Sequence, residues 1–148
     1  MSNTSHRGKA PEDFEGERLQ LLQQTLDPLT IQRFERLGVQ KGWRCLEVGA
    51  GGGSVARWLA KQVGLQGKVI ATDIETRLLD KTHEPNLEMR RHDILVDDLE
   101  QEYYDLAHTR AVLMHLTDPV QAVKKMAADP SFYYVDGTFF GVWGRRSS

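Results

Sequence analysis

Three carboxylates sit in or close behind short apolar runs: Glu47, Asp73 and Asp93. Glycines stand at 49, 51, 52 and 53, directly after the run Cys45-Leu46-Glu47-Val48. Bare backbone lets a ligand lie against the chain, and the helical pattern that starts at Ser54 offers unpaired N–H groups in its first turn. A carboxylate two residues before the first glycine suits a ligand with positive charge or hydroxyls better than a pyrophosphate. Asp73 follows Gly49 by 24 residues and closes the run Lys68 to Thr72, beside the glycine turn, where it suits two ribose hydroxyls. Asp93 follows the run Leu87 to Arg91 and can accept a hydrogen bond from an adenine amino group. Ile74 and Ile94 each follow an acid and are placed to sandwich the adenine. One acid at each of three strand ends makes a coherent adenosine site.

His108 and His115 are the residues that could act as a general base, and each also fits the plainer role of polar wall or cap. They lie seven residues apart with no carboxylate at a ligand spacing, so no metal site is expected. Arg110 and Arg18 could meet a ligand carboxylate or simply form surface salt bridges.

These residues need elements to hold them. Phe14, Leu19, Leu22 and Leu26 follow one helical stripe. Asp27-Pro28 reads as a cap and first-turn proline opening a second helix, which Gly38 stops. Strands are expected at 44–48, 68–72, 87–91 and 104–108. Helices are expected at 54–63, around 75–81, and from Asp118-Pro119 to about 128. Residues 131–144 read as a final strand, bent at Gly137. Strands alternating with helices predict an α/β domain with a mainly parallel sheet.

Composition sets outer bounds. With 148 residues, 40% hydrophobic and 27% charged, the chain suits one soluble domain, assigned to residues 14–148 behind a flexible 1–13. A net charge of −2 gives no general pull toward nucleic acid or acidic membranes. Cys45 is the only cysteine, so no intramolecular disulfide or cysteine zinc cluster can form. No apolar stretch nears the ~18 residues of a membrane span, and the first residues lack a signal core. A cytoplasmic location is the expectation.

The ordered set Leu46-Glu47-Val48-Gly49-Ala50-Gly51-Gly52-Gly53, Val69-Ile70-Ala71-Thr72-Asp73-Ile74 and Arg91-His92-Asp93-Ile94 resembles the class I S-adenosylmethionine-dependent methyltransferases. Tyr104 to His108, on through Val112 to Leu116, is similar to the corresponding segment of their small-molecule members. The resemblance spans about residues 27–128. It implies a Rossmann-like fold with S-adenosyl-L-methionine as cofactor. Gly49, Ala50 and Gly51 would pass the methionine part, and Glu47 would support the loop and the amino group. Asp73 would hold the ribose, and Asp93 the adenine. A nicotinamide dinucleotide fits less well, because its third glycine falls at position 54, which is Ser. The absence of an Asn/Asp-Pro-Pro-Tyr/Phe run disfavours the amino-methylating enzymes of nucleic acids.

The chain departs from that family after Ala128. A complete sheet of this type has seven strands, the last antiparallel, but Asp129-Pro130-Ser131 leads straight into aromatic β-rich residues. An internal segment that helps to build the acceptor pocket is therefore expected to be missing. The remaining strands are expected to number about five, in order 3-2-1-4-5, the last parallel to the fourth. Its uncovered edge would favour a homodimer. The functional expectation is a methyltransferase acting on a small-molecule acceptor, impaired by the shortening. The alternative is a non-catalytic cofactor-binding or protein-interaction module on the same fold.

Overall fold

The structure, a computed structural model, describes residues 11–77, 84–101, 103–127, 134–136 and 141–145. Helix α1 (Pro11–Leu37) leads into strand β1 (Arg44–Val48), then α2 (Ser54–Val63) and β2 (Lys68–Asp73). Strands β3 (Leu87–Arg91) and β4 (Leu106–Arg110) follow, then a single 3-10 turn (Leu113–His115) and α3 (Pro119–Met126). Two short strands close the chain, β5 (Tyr134–Asp136) and β6 (Gly141–Arg145). The sheet order is 3-2-1-4-6-5, with β1 to β4 all parallel. The expected α/β, Rossmann-like class and the central order 3-2-1-4 therefore hold.

The central strands are buried on both faces, which is why they read as near-continuous apolar runs. Cys45, Val69, Ala71 and Leu106 face α2 and the end of α1, packing with Phe34, Val55, Leu59 and Val63. Leu46, Val48, Ile70 and Ala107 face the other way, against Ala122 and Met126 of α3 and the loop residues Ile94 and Leu99. Helix α2 matches its expected span, with Val55, Leu59 and Val63 buried at helical spacing. Gly53 caps it in a left-handed conformation, with no side-chain cap.

Four expectations need correction. Asp27-Pro28 opens no new helix; α1 runs through it, because the Asp27 carboxylate is held by Arg110 (2.8 Å) and turned away from capping. β4 begins two residues later than expected. The Asp105 carboxylate takes the Arg44 N–H (2.8 Å) at the strand entrance, and pairing starts at Cys45 opposite Leu106. Tyr104 stays outside the ladder, where its hydroxyl donates to Glu100. The end of the chain forms two strands where one was expected. β5 runs parallel to β4, as the crossover through α3 requires, but β6 returns antiparallel and takes the place beside β4. The outer edge is thus the three-residue β5. The bend at Gly137, most of the helix expected at 75–81, residues 1–10 of the segment 1–13 expected to be flexible, and the side chains of the final strands lie outside the described residues; residues 11–13 begin α1.

No helix among the described residues is long and apolar enough to cross a membrane.

Candidate functional site

Strand β1 ends in a corner with three left-handed glycines: Gly49 (φ 73°), Gly51 (φ 56°) and Gly53 (φ 80°). An L side chain is strained at each. Gly49 also has no room, since a Cβ there would lie 2.1 Å from Val112 Cγ2. The end of β2 pins this corner. Gly49 N–H and Ala50 N–H both donate to the Thr72 carbonyl (2.8 and 2.9 Å). Gly51 N–H donates to Asp73 Oδ2 (2.9 Å), while Asp73 Oδ1 accepts from Glu75 N–H (3.0 Å). A carboxylate has about four acceptor positions, so Asp73 keeps capacity toward a ligand while it fixes the turn.

Asp93 lies at the next strand end. His92 N–H completes the β3 to β2 ladder on the Asp73 carbonyl (3.0 Å), which puts the two acids at adjacent termini. Asp93 Oδ1 accepts from Leu95 N–H (2.9 Å) and shapes the loop that follows. Ile74 stands 64% exposed beside Asp73. Asp73, Asp93, Ile74 and the glycines Gly49 and Gly51, with Ala50 between them, therefore share the carboxyl edge of the sheet.

Two expected members go elsewhere. Glu47 is only 3% exposed, and its Oε2 lies 2.6 Å from Nδ1 of His108, its register neighbour on β4. Its side chain alternates onto the α1 and α2 face, so it enters the core instead of joining the other two acids. His108, equally buried, packs edge-on against Phe34 (centroids 4.9 Å apart) and is not at the open edge as a general base would be. Ile94 is 4% exposed, packed among Leu46, Val48, Ile70 and Leu99. Burying an aliphatic side chain of this size is worth about 1.5–3 kcal/mol, and that placement removes it from the expected sandwich. His115 is exposed on the turn after β4. Arg18 bonds Glu15, and Arg110 bonds Asp27 and Thr30, so both take the salt-bridge role.

Some contributors carried no sequence signal. Leu19 and Gln23 of α1 lie on the corner: a Cβ on Gly51 would be 3.4 Å from Leu19 Cδ2, and one on Gly52 would be 2.2 Å from Gln23 Nε2. Ala111 has a left-handed backbone (φ 59°) and precedes Val112, whose side chain lies on Gly49. Contacts between residues so distant along the chain leave no local pattern. The spacing of α1's apolar residues could show only that one face is buried. Electrostatics at the sheet's other end are plainer. Lys68 and Arg90 hold the Glu88 carboxyl below its usual range, while burial, with the Asp105 and Glu47 carboxylates, pushes the Cys45 thiol well up.

The family described as "methyltransferase domain" matches residues 46–128. Among curated proteins, methyltransferase GfsG of Streptomyces halstedii is 30% identical over 116 residues, covering 70% of this chain and 42% of that protein. An uncharacterized 37.1 kDa protein in a transposon of Streptomyces fradiae is 32% identical over 94 residues, covering 60% of this chain and 27% of that one. The chain thus spans less than half the length of either curated relative. Among solved structures, an S-adenosylmethionine-dependent methyltransferase from Aquifex aeolicus superposes with a TM-score of 0.63 at 18% identity, covering 93% of this chain and 98% of that one. A TehB-like counterpart from Corynebacterium glutamicum gives 0.54 at 16%, covering 91% and 100%. At such identities the superpositions speak for the fold.

Proposed function

This chain belongs to the methyltransferase domain family, and from that premise we propose that it binds S-adenosylmethionine at the glycine corner and methylates a small-molecule acceptor. The observation that carries the reading is the corner itself, a left-handed turn at Gly49 and Gly51 tied by Gly51 N–H to Asp73, with Asp93 at the next strand end. The residues present fit the cofactor. Asp73 retains acceptor positions for ribose hydroxyls beside the left-handed glycine turn, and acidic walls suit a sulfonium while repelling a pyrophosphate. Asp93 is assigned to the adenine amino group, and exposed Ile74 to one face of the ring.

The cofactor supplies a methyl group on a sulfonium, whose sulfur leaves as a neutral thioether. With so good a leaving group, alignment of acceptor and methyl supplies most of the catalysis. A base is needed only to take the proton from a hydroxyl or ammonium acceptor. His108, locked to Glu47, is unsuited to that role, which leaves His115 as the candidate. A small acceptor is supported by the likeness of residues 104–116 to small-molecule methyltransferases.

Calorimetric titration with S-adenosylhomocysteine tests the reading. Asp73→Ala should weaken binding by about 1–3 kcal/mol, the range for a lost charge-assisted hydrogen bond. Unchanged affinity in a variant that still melts cooperatively would remove Asp73 from the site. Release of S-adenosylhomocysteine across a panel of small hydroxyl, amine and thiol acceptors then tests turnover.

A further inference from the structure

Helix α1 lies against the glycine corner and sets one of its residues directly over it. Gly52 is the only glycine of the corner's four without a left-handed backbone, so the turn itself does not demand glycine there. What does demand it is Gln23. A Cβ on Gly52 would lie 2.2 Å from the Gln23 Nε2, 3.2 Å from its Cδ and 3.4 Å from its Oε1. The Nε2 end of the Gln23 side chain therefore occupies the place a Gly52 side chain would take. Among the described residues no protein group takes up that amide. The Gly52 carbonyl is already held by Arg57 (2.9 Å).

The obvious cations for an anionic ligand group are engaged elsewhere. Arg18 is paired with Glu15, and Arg110 is held by Asp27 and Thr30. Glu47 is closed off with His108. Gln23 overhangs the corner at Gly52, beside the Arg57 guanidinium that holds the Gly52 carbonyl. An amide N–H in that place donates to an anionic acceptor with no charge of its own to desolvate.

We propose that Gln23 is a further cofactor-binding residue, its side-chain amide donating to the carboxylate of the cofactor's methionine part. This rests on the reading of the glycine corner as the S-adenosylmethionine site. The hydrophobic face of α1, through Leu19 on Gly51, brings the helix down, and Gln23 then closes the amino-acid end. Glycine at 52 makes room for the amide.

The test is calorimetry on the full chain with two ligands. S-adenosylhomocysteine carries the carboxylate; 5′-methylthioadenosine keeps the nucleoside and sulfur but lacks the amino-acid end. Gln23→Ala should weaken S-adenosylhomocysteine about tenfold, as for one hydrogen bond to a charged group, and leave methylthioadenosine within about twofold. Gln23→Glu should weaken S-adenosylhomocysteine further, by repulsion between carboxylates. Gly52→Ala, which displaces only the flexible amide, should reproduce the Gln23→Ala loss, and the double variant should lose little more. S-adenosylhomocysteine affinity unchanged in Gln23→Ala would overturn the assignment. So would equal losses for both ligands, or tighter binding by Gln23→Glu than by Gln23→Ala. Wild-type protein that binds neither ligand would instead remove the cofactor reading, and this inference with it.

Discussion

The buried pair of Glu47 and His108 makes the sharpest test of how this domain is held together. Both side chains are almost wholly removed from water (3% and 4% exposed), so solvent screening is small. The Oε2 to Nδ1 distance of 2.6 Å is that of a short hydrogen bond. Replacing His108 by Ala leaves the carboxylate in the core without its partner. Such a loss costs about 3–5 kcal/mol. The ring of Phe34 also loses its edge contact, which places the expectation at the upper end. For a domain near 150 residues, about 4 kcal/mol corresponds to roughly 8–16 °C in Tm. Glu47→Gln keeps the shape and an acceptor for the ring N–H, so it should cost about 1–2 kcal/mol.

Urea and thermal unfolding of the two single variants and the double variant would measure this. The double variant should cost less than the sum of the singles by about 1–3 kcal/mol, the coupling expected of contacting groups. Two outcomes would exclude that anchoring role. If His108→Ala melts within about 2 °C of the parent, the pair does not hold β1 to β4. If Glu47→Gln loses S-adenosylhomocysteine with unaltered stability, Glu47 serves the ligand as the family resemblance first implied.

Gly49→Ala should destabilise by about 2–5 kcal/mol, from left-handed strain plus the collision with Val112. Adding Val112→Ala should recover the collision part, and urea curves with additive costs would dismiss the contact. Cys45 should react with a disulfide reagent at pH 8 only as fast as the domain opens, because burial favours its thiol form; immediate labelling would contradict its place in the core. The same raised pKa means that its contribution to stability is full below about pH 8.5, the unfolded value, and declines as pH rises above it. Asp118→Ala should lower stability by about 1 kcal/mol by removing the cap on Gln121 N–H, and an unchanged melting curve would count against that cap.

How much of this was legible in the chain is seen in two copies of one dipeptide. Asp118-Pro119 and Asp27-Pro28 carry the same local signal for a helix start. At 118 the carboxylate accepts from Gln121 N–H and the helix begins there. At 27 the carboxylate goes to Arg110, 83 positions away, and the helix continues. Thr30 reinforces the passage by donating to the Leu26 carbonyl while accepting from Arg110. Where periodicity or capping decides, as in β1, β2, β3, α2 and the start of α3, the sequence pattern suffices. Where a partner far along the chain decides, it does not. The acids follow the same rule. Asp73 and Asp93 close their strands and stay at the edge, while Glu47 lies one residue inside β1, where alternation sends it to the core. Ile94 looked like a partner for a flat ring only because the loop that folds it under Ile70 could not be seen from spacing.

The end of β4 ties these pieces into one assembly. Arg110, Ala111 and Val112 are consecutive, yet Arg110 reaches α1 and Val112 reaches Gly49. Ala111 lies between them with its left-handed backbone, a conformation that costs an L residue about 1–2 kcal/mol. Such strain persists where contacts on both sides over-determine it. Here those contacts are the Asp27 and Thr30 anchor on one side and the bare Gly49 on the other. The arrangement couples the position of α1, and hence of Gln23, to the glycine corner through a strand that also carries His108.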